Sequence, residues 1–375
     1  MNRRDLLRAA SAVATAASVP AFGQGKGHIV LGQSAAFSGP AAQLGIQMNK
    51  GARLYFDALN AAGGINGLTV ELRNLDDGYE PARCKANTEA FLKDDVFALF
   101  GYVGTPTSLA ALPLVSDSGV PFFGPFTGAE ALRDPMHRNV FHLRASYYDE
   151  TALIVRQLTS LGLKKIAVFY QDDAYGKAGL DGVNRALKPL GLAPVALGTV
   201  ERNTVAVAQS VKDIVPKMPD AVVQIGAYKG CAAFIRAARK AGYGGSFINV
   251  SFVGTQALAD ELGKDGNGVM ITQVVPYPYT NGVGISREYL EAVHKAGPEV
   301  QPNYSSLEGY LAARVFAEGL RRAGAKVTQE SLIAGLESIQ HQSFGGFNVS
   351  FGPRDRVGSH FVELSMLTGD GKVRR

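Results

Sequence analysis

Two pairs of adjacent aspartates at the ends of predicted strands could carry acid–base chemistry. Asp76-Asp77 and Asp172-Asp173 each follow a short β-rich run, so each pair is placed at the end of a predicted strand. Neighbouring carboxylates can divide the roles of general acid and general base between them. Aspartates at strand ends also close turns and cap helices, and this structural role is the interpretation that we favour here.

The other motifs that carry chemistry at a fixed spacing do not occur in this sequence. It has no G-x-x-x-x-G-K-[ST] phosphate loop, no G-x-S-x-G elbow and no H-E-x-x-H zinc pair. Gly101 and Gly104 follow a β-rich run but do not form the G-x-G-x-x-G fingerprint of a dinucleotide site. The six histidines are scattered, and His137 and His142 make a poor metal pair. We therefore expect no catalytic residue, no metal site and no cofactor.

The composition indicates an ordinary globular protein large enough for two domains. The chain has 375 residues, of which 46% are hydrophobic and 19% are charged. The net charge is +5 and the sequence has no block of five or more basic residues, which argues against a nucleic-acid partner. Only Cys84 and Cys231 are present, and we expect them to be separate, buried thiols.

The first 23 residues have the parts of an export signal. A charged start containing Arg3-Arg4 precedes an apolar stretch over 9–19 and a small-x-small end at Ala21-Phe22-Gly23. The paired arginines resemble a twin-arginine signal, and we expect cleavage after Gly23 and a periplasmic location. An amphipathic N-terminal helix is the alternative.

The rest of the chain alternates short β-rich runs with amphipathic helical stretches. One βαβαβα cycle extends from residue 28 to 123, and a second begins near residue 147 and ends near 275. This alternation predicts two α/β units with parallel sheets and right-handed crossovers. The segment 276–284 is rich in Pro, Tyr and Gly and indicates a crossing point between the units.

Polar loops follow several of the predicted strands, at the sheet edge where open α/β sheets bind ligands. Together these segments resemble, in order, the leucine/isoleucine/valine-binding proteins of ABC importers, and the resemblance covers essentially residues 27–365. The segments are 34–45 (SAAFSGPAAQLG), 61–67 (AAGGING), Asp76-Asp77, 127–130 (TGAE), 172–176 (DDAYG) and 226–228 (GAY).

The resemblance implies a type I periplasmic binding protein fold of class α/β. Two Rossmann-like lobes would flank a cleft and be joined by three crossovers. Lobe 1 would comprise residues 27–146 and 275–355, and lobe 2 residues 147–274 and 356–375. The family's small disulfide would fall on Tyr79 and Gly104, so that bridge is absent from this chain.

The resemblance places ligand contacts of lobe 1 at Gly104, Thr105, Phe126 and Thr127. Pro106 suits the first turn of a helix, so Thr105 could either cap that helix or offer its hydroxyl to a ligand. Free N–H groups at a helix start favour an anion, and the matching family position binds a carboxylate. Phe126 is bulkier than the usual family residue and could narrow the pocket.

Tyr175 and Tyr228 are the contacts expected from lobe 2, each with an apolar face and a polar tip. Three further matches complete the predicted site: Leu44, Ser251 and Tyr304. Ser251 stands where the family has an acid that pairs with the ligand's ammonium. A buried ammonium needs a counter-charge, so either Asp149 or Asp172 compensates or the ligand lacks an amine.

We therefore predict a periplasmic solute-binding protein of an ABC importer that performs no chemical reaction. Its ligand would be a small hydrophobic, branched-chain or aromatic amino acid, or a related carboxylate or amide. Its other partner would be the membrane permease, and we expect a monomer. A sensory module of the same fold and an exported α/β hydrolase are the alternatives.

Overall fold

The computed structural model describes residues 27–375, so the predicted signal over residues 1–23 lies outside the described residues. The first unit is a parallel sheet in the order β2-β1-β3-β4-β5 with helices packed against it. Its elements are β1 (His28–Ala35), α1 (Ala42–Ala61), β2 (Thr69–Asp76), α2 (Pro81–Lys93), β3 (Ala98–Phe100), α3 (Thr105–Ser118), β4 (Phe122–Phe123) and β5 (Val140–Phe141).

The second unit is a larger sheet whose first five strands are parallel to one another. Its elements are α4 (Tyr147–Ser160), β6 (Ile166–Gln171), α5 (Ala174–Leu187), β7 (Leu197–Val200), α6 (Ala208–Ile214), β8 (Ala221–Ile225), α7 (Tyr228–Lys240), β9 (Ser246–Asn249), α8 (Thr255–Leu262) and β10 (Met270–Gln273). The central strands β6 and β8 are almost wholly buried because helices cover both faces of the sheet.

The chain then returns to the first unit before its tail joins the second. The elements of this part are α9 (Gly284–Ala296), α10 (Tyr304–Arg322), α11 (Gln329–Glu337), the hairpin β11 (Gln342–Phe344) and β12 (Phe347–Val349), β13 (Glu363–Leu367) and β14 (Val373–Arg374). Strand β13 pairs antiparallel with β10, which gives the second sheet the order β14-β13-β10-β9-β8-β6-β7.

Helix α10 is held against α1 by a close approach of the two backbones. A Cβ at Gly51 would lie 1.8 Å from the carbonyl oxygen of Ser306, and one at Gly309 would lie 2.1 Å from that of Met48. Only glycine permits such contact, so these two positions fix how the returning chain docks on the first unit.

The predicted pair of α/β units is confirmed, and the boundaries of the lobes stay a prediction. Helix α8 was not predicted; it has only eight residues and no side-chain cap, so its sequence signal is weak. Cys84 and Cys231 are both buried and unpaired, as expected. Within residues 27–375 no helix is both long and apolar enough to cross a membrane.

Candidate functional site

Two threonine hydroxyls meet where the chain leaves β3 and β4. The Oγ1 atoms of Thr105 and Thr127 are 2.6 Å apart, and both side chains are fully buried. Helix α3 begins at Thr105 itself and has no side-chain cap, so the alternative that Thr105 caps this helix is wrong. Thr127 Oγ1 also lies 3.4 Å from the hydroxyl of Tyr147. The two predicted hydroxyls therefore share one buried point at a helix start.

Gly104, directly before this helix, is covered by the ring of Tyr79. A Cβ at Gly104 would lie 2.2 Å from Tyr79 Cε2, and its φ of +106° favours glycine. Tyr79 and Gly104 are the two positions on which the resemblance places the family's disulfide. Here ring packing brings the same two loops together without a covalent bond.

A cluster of rings, which we call the cleft aromatic cluster, joins loops of the two sheets. Phe252 is its centre, with ring centroids 4.6 Å from Tyr175, 5.7 Å from Phe126 and 5.9 Å from Tyr79. Tyr147 extends the cluster at 5.3 Å from Tyr175. The predicted residues Phe126 and Tyr175 thus both contact the ring of Phe252, which was not among the predicted site residues.

Leu44 and Tyr228 also lie where the two units meet. A Cβ at Gly254, beyond β9, would be 2.5 Å from Leu44 Cδ2, so Leu44 packs on the main chain of the other unit. Burial raises the pKa of Tyr228, and the nearby main chain of Gln43, at the start of α1, opposes that rise. Both predicted residues therefore contact the opposite unit.

Ser251, which stands where the family has its ammonium-binding acid, donates hydrogen bonds to a carboxylate. Its main-chain N–H and its hydroxyl donate to Glu150 at 2.7 and 3.0 Å, and the hydroxyl of Thr272 donates to the same group. Glu150 is fully buried, which raises its pKa, while the nearby Arg144 opposes that rise. The sequence gave no indication that Glu150 is buried, because an acid in the first turn of a helix is common at exposed helix starts.

The acids that could have compensated for Ser251 have other partners. Asp149 forms a capping box with Ser146 at the start of α4 and lies 3.1 Å from His360 Nδ1. Asp172 is 54% exposed in its side chain and pairs with Lys177 at 3.4 Å. Neither acid is thereby assigned to a ligand.

The remaining paired carboxylates have the turn and cap roles that we favoured. Asp173 accepts from the N–H groups of Tyr175 and Gly176 and so caps α5. Asp76 accepts from the N–H groups of Phe37, Ser38 and Gly78. Partial burial works to raise the pKa of Asp76, but its hydrogen bonds outweigh that effect and lower the pKa to about 2. The oxygens of Asp76 are thus already engaged in closing a turn.

An ion pair that is almost free of solvent contact lies next to Phe126. Arg144 donates through Nε and Nη2 to both oxygens of Glu308, each at 2.8 Å, and its guanidinium lies 4.1 Å from the centroid of Phe126. Burial works to lower the pKa of Arg144, but the facing carboxylate outweighs it and the pKa is raised. The pair links the segment after β5 to α10.

Charged and polar side chains also join the two units at the rim, in a group that we call the latch: Arg202, Asn203, Glu80 and Asp173. Arg202, after β7, lies 2.9 Å from Glu80, before α2, and 3.3 Å from Asp173. Asn203 donates to Glu80 at 2.7 Å and to the carbonyl of Gly78 at 3.0 Å. These contacts hold the units together in this conformation.

Tyr304 belongs to a different aromatic group from the other predicted contacts. Its ring neighbours are Tyr277 and Tyr279, at centroid distances of 6.3 and 6.0 Å, in the segment that follows β10. The structure therefore places Tyr304 beside a crossing of the chain, and not in the cleft aromatic cluster.

Most of the predicted contacts lie at the boundary between the two units. All the predicted site residues are buried, so the cleft is closed to solvent. The hydroxyl of Tyr175 has no partner within the described chain, although it is fully buried. Among residues 27–375 no group of three or more His, Cys, Asp or Glu side chains could hold a metal ion.

Comparison with known proteins agrees with this geometry. A family model described as a periplasmic binding protein matches residues 28–372. The Leu/Ile/Val-binding protein homolog 7 of Brucella melitensis is 27% identical, over 96% of this chain and 94% of its own length.

Two crystal structures superpose closely on this chain. A possible leucine/isoleucine/valine-binding protein from Rhodopirellula baltica has a TM-score of 0.88 at 35% identity, covering 93% of this chain and 96% of its own. A substrate-binding periplasmic protein from Ralstonia solanacearum has a TM-score of 0.87 at 33% identity, covering 92% of this chain and 99% of its own. The two α/β units are thus the lobes of a type I periplasmic binding fold, and the chain belongs to the periplasmic binding protein family.

Proposed function

We propose that this protein is the solute-binding component of an ABC importer and that it captures its ligand without transforming it. The observation that carries the proposal is the Thr105–Thr127 hydroxyl pair, which is buried at the start of α3 beside rings from the other lobe. Hydroxyls and free N–H groups at a helix start bind a carboxylate or an amide oxygen. The neighbouring aromatic rings would contact the apolar part of such a ligand.

The ligand would act by stabilising the closed arrangement of the lobes. Thr105 and Thr127 come from lobe 1, whereas Tyr175 and Tyr228 come from lobe 2. A molecule that contacts both groups has more contacts in the closed form, and it shifts the hinge equilibrium by that difference in free energy. The closed form would then be the one that docks on the permease.

The charges around the site favour a ligand head that is anionic or neutral. Glu308 is paired with Arg144, and Glu150 already accepts three hydrogen bonds from Ser251 and Thr272. A ligand ammonium would find no free carboxylate among these groups. Carboxylates and amides with a hydrophobic or aromatic body are therefore the first candidates, and branched-chain or aromatic amino acids the second.

The proposed role includes export to the periplasm, with the signal cleaved after Gly23, and action as a monomer beside the membrane permease. A sensory protein of the same fold would bind its ligand in the same way. Co-purification with a permease after cross-linking of the ligand-bound protein supports the importer, whereas capture of a receptor kinase supports the sensor.

The test is ligand binding by a Thr127→Val variant. A panel of aliphatic and aromatic carboxylates, amides and amino acids is first screened by thermal shift, and hits are titrated by calorimetry. Removing a hydrogen bond to a charged head costs about 1.5–3 kcal/mol, so we expect the Kd of a carboxylate hit to rise at least about tenfold.

Thr159→Val is the matched control, because the Thr159 hydroxyl donates to the carbonyl of Val155 within α4. It should leave the Kd unchanged. The proposal fails if no panel member binds, or if the two variants bind the hit equally well.

A further inference from the structure

The charged side chain of Arg133 is buried and held by main-chain carbonyls. It follows the short 3-10 turn Glu130–Leu132, and only 9% of the residue is exposed. Its guanidinium donates to the carbonyl of Thr127 at 3.1 Å and to that of Ala145 at 3.4 Å. It also donates to the carbonyl of Arg144, through Nη1 at 3.3 Å and Nη2 at 3.2 Å. One side chain thus bridges two segments of the main chain.

Burial of this guanidinium is unfavourable for the stability of the fold. It lowers the pKa of Arg133 to about 10, and the nearby Glu130 opposes that fall only in part. Carbonyl oxygens satisfy the N–H groups of a guanidinium but do not neutralise its charge, so an apolar side chain of similar size would fill this space at a lower free-energy cost. The role of Arg133 is therefore expected to follow from the segments that its hydrogen bonds join.

The three carbonyls belong to segments with different places in the fold. Thr127 lies in the loop after β4 and supplies one hydroxyl of the buried pair with Thr105. Arg144 and Ala145 lie in what we call the first crossing, residues 142–146, where the chain passes from β5 of the first sheet to α4 of the second unit. A change in the angle between two lobes bends the chain at such crossings. The guanidinium therefore joins a candidate ligand contact to the hinge region.

Further contacts join the same loop to the end of the first crossing. The N–H of Tyr147, the first residue of α4, donates to the carbonyl of Gly128 at 2.7 Å. The N–H of Ala129 donates to Thr127 Oγ1 at 3.2 Å. This bond uses one acceptor direction of the hydroxyl, so the direction in which the hydroxyl points depends on the course of the loop. Hydrogen bonds from Arg133 and Tyr147 fix that course.

We propose that Arg133 is a positioning residue for ligand binding: it sets where the Thr127 hydroxyl points and holds that hydroxyl in a fixed place relative to the first crossing. This role rests on the proposed binding function and adds to it a residue that contacts no ligand atom itself. The part of the ligand affected is the carboxylate or amide head, because the head is the part that meets Thr127. Contacts of the apolar part with Tyr175 and Tyr228 do not depend on Arg133.

The experiment is a double-mutant cycle between Arg133 and Thr127. Arg133→Met, Thr127→Val and the double variant are titrated by calorimetry with phenylacetate, isocaproate and L-leucine. For a probe that binds the wild type, we expect Arg133→Met alone to raise Kd about tenfold, because the ligand head loses a well-placed hydrogen bond. In the Thr127→Val background the same change should raise Kd less than about twofold, because that hydrogen bond is already gone. An equal factor in both backgrounds, including no effect in either, overturns the positioning role.

Arg239→Met is the matched control, because Arg239 also donates to main-chain carbonyls, those of Asp265 and Asn267 in the second unit. This control should leave Kd unchanged in both backgrounds. Arg133→Lys keeps the charge but replaces the planar guanidinium by an ammonium, which reaches fewer of the carbonyls. It takes the place of Arg133→Met in the cycle if the methionine variant does not fold, and it should show a smaller rise in Kd with the same dependence on Thr127.

Hydrogen exchange of the proteins without added ligand gives a second readout that needs no binding. The N–H groups of Ala129 and Tyr147 should both exchange faster in Arg133→Met than in the wild type, and at the wild-type rate in Arg239→Met. If no probe binds the wild type, the proposed ligand class fails, and the exchange rates still decide about Arg133. Faster exchange at both N–H groups supports the tie between the loop and the first crossing, whereas unchanged exchange in the folded variant rejects it.

Discussion

Replacing Glu308 by Gln should destabilise the protein far more than an equivalent change at its surface. The Arg144–Glu308 pair is bidentate at 2.8 Å, with 1% and 5% of the two side chains exposed. A neutral amide in place of the carboxylate would leave the guanidinium buried without its counter-charge, which costs about 3–5 kcal/mol in proteins. Glu150 lies near enough to act on Arg144 electrostatically, so we expect the lower end, about 3 kcal/mol.

Glu318→Gln on the same helix is the matched control. Glu318 pairs with Arg321 and Arg322, whose side chains are 46% and 31% exposed, and such pairs contribute about 0.3–0.5 kcal/mol each. Urea unfolding followed by circular dichroism should show a clear fall in midpoint for Glu308→Gln, with little change for Glu318→Gln. Equal midpoints for the two variants would refute the reasoning that the buried pair needs both partners.

Further predictions concern the latch, a buried acid and the thiols. Arg202→Gln should speed ligand release a few-fold in stopped-flow experiments, since partly exposed ion pairs contribute about 0.2–1 kcal/mol. High salt should also speed ligand release from the wild type, because it screens these pairs, but it should not speed release from the variant. Burial raises the pKa of Asp77 from 3.8 to about 6, so the folded state holds this proton more tightly than the unfolded state does. The free energy of unfolding should therefore fall by about 3 kcal/mol in total as the pH rises from about 3 to about 8. Asp77→Asn should flatten that slope in denaturation curves, and an unchanged slope would contradict the assignment. Cys84 and Cys231 should be unreactive toward a thiol reagent in the native protein and both reactive in denaturant, and rapid native labelling would contradict their burial.

Features that depend on nearby residues could be predicted from the sequence. Helix α2 begins at Pro81 and ends at Lys93 as expected, because proline at the first turn is a local signal. The cap formed by Asp173 depends on the next three residues and was predicted for the same reason. The strand-end positions of Thr105 and Thr127 followed from the alternating pattern, which places such loops at one edge of a parallel sheet.

The parts of the site that were missed depend on contacts between distant residues. Arg144 and Glu308 are 164 positions apart, and Ser251 and Glu150 are 101 apart. No local pattern distinguishes these charged residues from exposed ones, since their burial results from how the lobes pack. Phe252 was missed for the same reason, because an aromatic residue after a strand is usually part of a core.

A crystal structure of the protein with a calorimetrically confirmed ligand tests the central claim most directly. The account predicts one small molecule between the lobes, with its polar head within hydrogen-bond distance of Thr105 and Thr127 and its body against Tyr175 and Tyr228. A ligand bound at another place on either lobe, or density at this place that touches none of these four side chains, would contradict it.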